Sequence, residues 1–268
     1  MPTTFATWNI NSVRLRLPLV LEFIDKFRPD ILCLQEIKCL NDQFPKKEFT
    51  AAGYPYQAVH GQKGYHGVAI ISKHPLTDIS SRVFCEIEES RHVSAITDFG
   101  KGPVTVHNFY IPAGGDIADV ELNPKFKHKV GFLNELKAWF GEDHFKERQL
   151  ICGDFNIAPM EHDVWSHKQL IDVVSHTPLE TEALNALLTG GHGWVDVIRK
   201  YFPADQKLYS WWSYRAKEWD LTNKGRRLDH IWATADIAAH TTDAEIIRPA
   251  RGWTDKPSDH VPVIVRFE

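Results

Sequence analysis

No stretch of the chain stays apolar long enough to span a bilayer, so a helical membrane protein is not expected. Met1 to Asn9 has no basic segment followed by an apolar run, which argues against a secretory leader and predicts a cytoplasmic location. Cys-x-x-Cys spacing is absent, and with it the usual signature of a zinc or dithiol site. Of the four cysteines, Cys33 and Cys152 lie inside apolar runs that read as buried strands, and Cys39 and Cys85 lie near segment ends. Nor is there a low-complexity tract or a linker, so residues 1–268 are read as one domain. A 43% hydrophobic content gives that domain a sizeable core. The net charge of −4 argues mildly against non-specific binding to a polyanion, but it does not describe any local patch.

What is present alternates between strand and helix patterns. Phe5 to Ile10 is apolar and β-rich; Leu17, Val20, Leu21, Ile24 and Phe27 recur at helical spacing behind Pro18; Asp30 to Gln35 reads as a second strand. Hairpin signals follow, with Tyr54 to His60 and Gly67 to Ser72 around Gly61 to Gly64, and Val83 to Ile87 paired with Val93 to Asp98. Val104 to Ile111 is a strand, and a helix is expected over Pro124 to Lys146, feeding a strand at Gln149 to Gly153. Glu180 to Leu188 and Trp194 to Tyr201 read as helices; Leu228 to Ala233, Asp243 to Arg248 and Val261 to Phe267 read as strands. So many mixed strands predict an α/β protein with two packed sheets and helices outside.

Five regions put chemistry at the ends of these strands. Asn9 and Asn11 share a face around Ile10: solvated amides at a strand end, or neutral oxygen ligands and substrate donors. Glu36 continues the row of Leu32 and Leu34, either as an exposed loop residue or as a ligand for a hard metal. Tyr110 shares a face with Val104, Val106 and Asn108, either packed in the core or donating its phenol to a phosphate oxygen. Asp154 and Asn156 leave the end of an apolar strand together, where Asp154 is suited to orient and deprotonate water and Asn156 to hold that water or the phosphate. Gly153 beside them permits close backbone approach. The fifth region pairs Asp229 with the rigid turn Pro257 to Pro262; an aspartate near His260 keeps that imidazole charged, fit to meet a phosphate.

In wording and order, Trp8-Asn-Ile-Asn11, Leu34-Gln-Glu36, Gly64-Tyr-His-Gly-Val68, Tyr110-Ile-Pro112, Gly153-Asp-Phe-Asn156, Arg227-Leu-Asp229 and Ser258-Asp-His260 resemble the endonuclease/exonuclease/phosphatase superfamily. Over nearly its full length the chain resembles the exonuclease III family of apurinic/apyrimidinic endonucleases. That resemblance implies a four-layer α/β sandwich of two mixed sheets flanked by helices. It also implies Glu36 as principal metal ligand with Asn9 and Asp259 nearby, Asp154 activating water, Asn156 and Tyr110 holding the phosphate, and Asp229 paired to His260. The implied cofactor is Mg²⁺, with Mn²⁺ able to substitute.

Substrate choice within such a family rests on other residues. Lys207, Arg215, Lys217, Lys224, Arg226 and Arg227 are interleaved with Trp211, Trp212, Tyr214 and Trp219, against only Glu218 and Asp220. Cations among aromatics suit a duplex groove, although a solvated loop with core aromatics has the same composition. In the family a pocket of this kind selects the abasic sugar, and by position Trp211, Trp212 and Leu228 are its candidate walls. Arg215, Lys217, Arg226, Lys63 and Tyr65, with Arg14, Arg16, Arg91 and Arg251, are candidate DNA contacts. Departures from the family pattern are Ala113-Gly-Gly115 where relatives place an Asn or Gln, Arg226 where some have an aromatic, Ser12 for a glycine and Asn11 for an acid. The expected function is a DNA-repair phosphodiesterase that incises 5′ to abasic sites and trims 3′ ends of double-stranded DNA as a monomer, with no membrane association. The rivals are a phosphomonoesterase or phospholipase of the same superfamily, and a DNA-binding module that has lost catalysis.

Overall fold

The computed structural model describes residues 3–98, 100, 102–141, 148–190 and 193–268. Two six-stranded mixed sheets lie face to face. The first has the order β11 (Thr241–Ile246), β12 (Val263–Phe267), β1 (Thr3–Asn9), β2 (Ile31–Gln35), β4 (Val68–Ser72) and β3 (Tyr56–His60). The second has the order β5 (Thr77–Ser80), β6 (His92–Asp98), β7 (Pro103–Tyr110), β8 (Gln149–Asp154), β10 (Asp229–Ala233) and β9 (Val195–Asp196). Each sheet is built around one parallel pair, β1 with β2 and β7 with β8.

Strand alternation sorts the side chains into three apolar layers. Phe5, Ile31, Cys33, Val68 and Val265 of the first sheet meet Val104, Val106, Leu150, Cys152 and Ile231 of the second. The opposite face of the first sheet, with Ala6, Trp8, Leu32 and Leu34, is covered by Leu19, Val20, Phe23 and Ile24 of α1 (Leu17–Phe27). The opposite face of the second, with Phe109, Ile151 and Trp232, is covered by α3 (Pro124–Phe140) and α5 (Pro178–Leu188). The short helices α2 (Lys46–Ala51), α4 (His167–Leu170), α6 (Val197–Tyr201), α7 (Trp219–Thr222) and α8 (Ala235–Ala239) fill the connections. The result is the four-layer sandwich. Among the described residues no helix is long and apolar enough to cross a membrane.

Four details differ from the sequence reading. Val83 to Ile87 forms only an isolated bridge between Phe84 and Ile87, and the partner of β6 is the exposed β5 instead, whose four residues have no apolar row to mark them. Helix α3 ends at Phe140, and the remainder of the expected span, 142–146, lies outside the described residues. Trp194 to Tyr201 is a two-residue strand followed by α6, not one helix. Leu32 and Leu34 face α1, so Glu36 does not continue an inward row: a left-handed φ of 49° at Glu36 ends the alternation and redirects its carboxylate.

Gly153 shows why β7 and β8 can approach so closely. At its φ of +132° a Cβ would stand 1.9 Å from the Phe109 carbonyl oxygen. Arg227 plays an equally structural part. It is fully buried and donates from Nε and Nη2 to Asp163 and from Nη1 to Asp196. Arg199 donates to the same Asp163, so the network clamps the segment after β8 to the strand that delivers Asp229. Arg227 thus belongs to the core and not to any DNA-facing surface.

Asp163→Ala would leave two buried guanidinium groups without their carboxylate and is expected to destabilise the protein by about 3–5 kcal/mol, read as a lower urea midpoint. Burial alone would raise the Asp163 pKa, but Arg227 and then Arg199 hold it below the usual carboxylate range. Its contribution is therefore complete above the unfolded-state pKa and lost as pH falls through the folded value, so the gap between wild type and variant narrows in acid. A gap independent of pH would count against the ion pairs as its source.

Candidate active site

Strand register assembles the site before any side chain turns. Tyr110 stands beside Asp154 across the parallel β7–β8 pair, and Asp154 stands opposite Asp229 across the antiparallel β8–β10 pair. Three polar residues thus form one row at the end of the second sheet. In the first sheet Asn9 pairs with Gln35, so Glu36 and Asn9 close the facing ends. The Pro257–Pro262 turn before β12 brings Asp259 and His260 over the gap; Ser258 fixes it by donating to the Asn9 carbonyl at 2.6 Å, and Trp8 donates to the His260 carbonyl at 3.0 Å.

The carboxylates are tied by amides. Asn9 Nδ2 donates to Glu36 Oε1 at 2.9 Å and across the sheets to Asp154 Oδ2 at 2.8 Å, while its Oδ1 accepts from the Asn11 backbone at 3.1 Å. Asn156, at a left-handed φ of 54°, donates its backbone N–H to Asp154 Oδ1 and its Nδ2 to Asp154 Oδ2 and the Ile111 carbonyl. His260 Nδ1 donates to Asp229 Oδ2 at 2.8 Å, and its Nε2 lies 3.6 Å from Asp154 Oδ2. Ser210 donates to the same Asp229 oxygen at 2.6 Å. Trp211 Nε1 and Asn11 Nδ2 donate to the two oxygens of Asp259.

These contacts set the protonation states. Burial by itself would lower the His260 pKa, but Asp229 and then Asp154 outweigh it and raise the imidazole to about 10. It is therefore a cation at neutral pH. Burial raises Asp154 to about 7, with His260 opposing and Asp229 and Glu36 adding to the rise, which poises a carboxylate for proton transfer near neutrality. Desolvation acts on the partly exposed Asp259 too, yet His260 and the Asn11 and Trp211 donors hold it below the ordinary range. Burial, then Glu36 and Asp154, push the Tyr110 phenol well up, leaving it a hydrogen-bond donor.

The donors present fit a hard divalent cation. Glu36, Asp259, Asn9 and Asn11 offer oxygens, and Asp229 Oδ1 is buried without a hydrogen-bond partner among the described residues. Lys38 Nζ sits 2.8 Å from Glu36 Oε2 and 2.6 Å from Asn11 Oδ1, so positive charge already stands against this carboxylate. Asp154, Asp229 and His260 also converge, their ligand atoms within 4.8 Å of one another. A protonated imidazole among them opposes a metal there, which favours the Glu36–Asp259 side.

Glu36, Tyr110, Asp154, Asn156, Asp259 and His260 open into a cleft of about 290 Å³ whose far wall is Trp211, Leu228 and Arg226. Trp212 is not part of it: alternation turns its ring into the core against Trp219, its Nε1 donating to Asn223, so only Trp211 of the pair walls the cleft. Lys63 and Tyr65 on one loop, Arg215 and Lys217 on another, and Arg14 are exposed outside the cleft lining. Arg16, Arg91 and Arg251 are buried, Arg16 bonded to backbone carbonyls and the Tyr214 hydroxyl, Arg91 paired with Glu89, and Arg251 against the Tyr214 and Trp219 rings. Sequence reasoning passed over Lys38 and over Ser210 and Ser258, which hold Asp229 and Asn9. Lys38 stands two residues past Glu36, Ser258 opens the Ser258-Asp-His260 motif without a role of its own, and Ser210 directly precedes Trp211.

Comparison with known proteins gives three findings. Residues 6–260 match the model of the Endonuclease/Exonuclease/phosphatase family. Exodeoxyribonuclease III of Haemophilus influenzae is 32% identical, covering 98% of this chain and 99% of its own. Among solved structures, an AP endonuclease from Archaeoglobus fulgidus superposes with a TM-score of 0.90 at 33% identity, and the 3′ phosphatase NExo from Neisseria, bound to a product DNA hairpin, with 0.89 at 29%; each covers 99% of both chains.

In metal-free protein, Asp229→Asn removes the charge that sustains His260, and the imidazole pKa is expected to fall from about 10 toward or below its ordinary value. Imidazole ¹⁵N shifts followed against pH measure this directly; an unmoved titration would mean that Asp229 is not what keeps the ring charged.

Proposed function

The chain belongs to the endonuclease/exonuclease/phosphatase family, and from that premise we propose that it is a divalent-metal-dependent DNA-repair phosphodiesterase that incises the backbone 5′ to abasic sites and removes nucleotides or blocking groups from 3′ ends. The observation that carries the reading is the junction of Asp154 and His260: a carboxyl raised to about 7 lies 3.6 Å from an imidazole raised to about 10, both lining one cleft. Full-length likeness to an exodeoxyribonuclease III and an AP endonuclease supports DNA as the substrate.

In the proposed chemistry, Asp154 takes a proton from water held by Asn156, the water oxygen bonds to phosphorus as the bond to the 3′ oxygen breaks, and the departing 3′ oxygen takes its proton from solvent water. His260, kept charged by Asp229, and Tyr110 donate to the non-bridging oxygens as negative charge builds on them. Glu36 and Asp259, with Asn9 alongside, hold the cation; Mg²⁺ is our assignment, with Mn²⁺ able to replace it. When bound, it neutralises phosphate charge and eases departure of the 3′ oxygen. The products are a 3′-hydroxyl and a 5′-phosphate. The polypeptide acts as one catalytic domain and as a monomer.

A duplex carrying one tetrahydrofuran site is expected to be nicked with Mg²⁺ and left intact with EDTA. Asp154→Ala should lower kcat by about 100- to 10,000-fold, the usual range for loss of a general base. Nicking that survives Asp154→Ala would remove this residue from the mechanism. Metal-dependent hydrolysis of a phosphoinositide or sphingomyelin, with the abasic duplex untouched, would overturn the substrate.

A further inference from the structure

Helix α3 carries a lysine that never reaches solvent. Lys129 and its partner Glu180 of α5 are both fully buried, and their ion pair lies behind one wall of the cleft. A buried ion pair is weak ground for stability, since apolar side chains of similar volume often serve a core as well. What distinguishes this pair is what it holds. Lys129 Nζ donates to the Asn156 carbonyl at 2.8 Å and to the Ala113 carbonyl at 3.3 Å. The Glu180 carboxylate accepts from the Ser175 backbone N–H at 2.9 Å and from the backbone and hydroxyl of Thr177. Ala113, Asn156 and Ser175 all line the cleft, and they come from three separate connections, after β7, after β8 and before α5. Gly114 makes room for the lysine: at its φ of +88° a Cβ would stand 2.9 Å from Lys129 Cδ and 3.1 Å from Val174 Cγ1.

The bond to Asn156 bears on the chemistry. The Asn156 φ of 54° lies in the left-handed region, which residues other than glycine keep only where contacts hold them. Its carbonyl is drawn to Lys129 and its N–H donates to Asp154 Oδ1, so both ends of the residue are fixed. The side chain follows. Nδ2 donates to the Ile111 carbonyl and to Asp154 Oδ2, which uses both of its hydrogens, and Oδ1 has no hydrogen-bond partner among the described residues. That oxygen is left to accept from the water that Asp154 deprotonates.

An ammonium suits this place because the carbonyls of two connections converge on one spot. Nζ offers three hydrogens, one for each carbonyl and one for Glu180, and its charge strengthens every bond. Burial lowers the Lys129 pKa, and the Glu180 carboxylate opposes that loss of charge. Resting on the assignment of the site as a metal-dependent phosphodiesterase, we propose that Lys129 is a positioning residue for that reaction: it acts through Asn156, holding the asparagine in the orientation that aims Oδ1 at the attacking water, with Glu180 holding Lys129 in turn. Lys129 touches neither substrate nor metal. Its loss therefore lowers turnover more than binding.

The test uses Lys129→Met, which keeps an apolar chain and removes the ammonium, and the double variant Lys129→Met with Glu180→Gln, which removes both charges. The single variant strands a buried carboxylate and should melt well below wild type, and the double variant should recover most of that loss. On a tetrahydrofuran duplex in Mg²⁺, read below the melting temperature of each variant, kcat should fall about 10- to 100-fold in both, with KM within about threefold of wild type. In an Asn156→Ala background the same two substitutions should lower kcat by no more than about threefold, because the residue they act through is gone. The Asn156 side-chain NH₂ signals of metal-free protein give a readout free of turnover: they should be protected from exchange in wild type, and shifted and unprotected in the double variant. A kcat that returns together with the melting temperature would make the pair purely structural. A full loss in the Asn156→Ala background, or unmoved Asn156 signals, would mean that Lys129 does not act through Asn156. Each of these overturns the proposal. Wild type that leaves the duplex intact while the Asn156 signals respond as expected would instead overturn the phosphodiesterase reading, and with it the catalytic purpose of the positioning.

Discussion

The site exists because two sheets are held at a fixed offset, and polar side chains crossing the gap between them do the holding. Near the site end, Asn108 of β7 donates to the Leu34 and Ala69 carbonyls of the first sheet and accepts from Gln35 Nε2 at 2.6 Å. One step further out, Asn9 of β1 reaches Asp154 of β8. These bonds are fully buried, so their geometry is strict: an unmet amide in an apolar layer costs about 1–3 kcal/mol. Apolar packing alone tolerates small slips between sheets, but the amides do not. Glu36 and Asp259 from one side and Asp154 and Asp229 from the other are therefore held in one arrangement across the gap.

Bringing four carboxylates together creates a second constraint, which the fold meets unevenly. Asp259 is stabilised as an anion by two neutral donors and the His260 charge, whereas Asp154, deeper and flanked by Asp229 and Glu36, is pushed toward neutrality. Two acids in one cleft thereby acquire different tasks, one suited to holding a cation and the other to exchanging a proton. Asp229 spends its charge on His260, and Lys38 stands against Glu36. The local balance still leaves more carboxylate than cation. That imbalance is the physical reason a hard metal and a phosphate belong together here, since neither charge sits comfortably without the other.

Most of the polar row at the strand ends was legible in the sequence because strand alternation is a strict rule: Asn9, Tyr110 and Asp154 all end inward rows, and an apolar strand that finishes in a polar residue is readable without coordinates. Glu36 was read as the end of an inward row, and the structure places it in the cleft by another route. Its row faces α1, and only the positive φ, a backbone property that no side-chain pattern displays, turns it to the site. The inter-sheet amides were legible as a face, Asn108 with Val104 and Val106, but not as a clamp, because their partners lie 74 and 39 residues away in sequence. Strand β5 was missed since all four of its residues are exposed and carry no hydrophobic alternation.

The basic-aromatic stretch was the hardest to read, because adjacent residues of one chemical type serve opposite purposes. Trp211 walls the cleft and Trp212 fills the core; Arg226 faces the cleft and Arg227 is locked onto Asp163. Composition sums such pairs, but a strand separates them, and the period of two that exposes one member necessarily buries the other. Lys207, bonded to the Trp165 carbonyl, Lys224, over the Trp165 ring, Arg215 and Lys217 are all exposed outside the cleft lining, whereas Arg226 and Arg227 are withdrawn from the outer surface. The stretch therefore keeps four of its six basic residues on the outer surface, and the period of two that locks Arg227 onto Asp163 is what leaves Arg226 in the cleft.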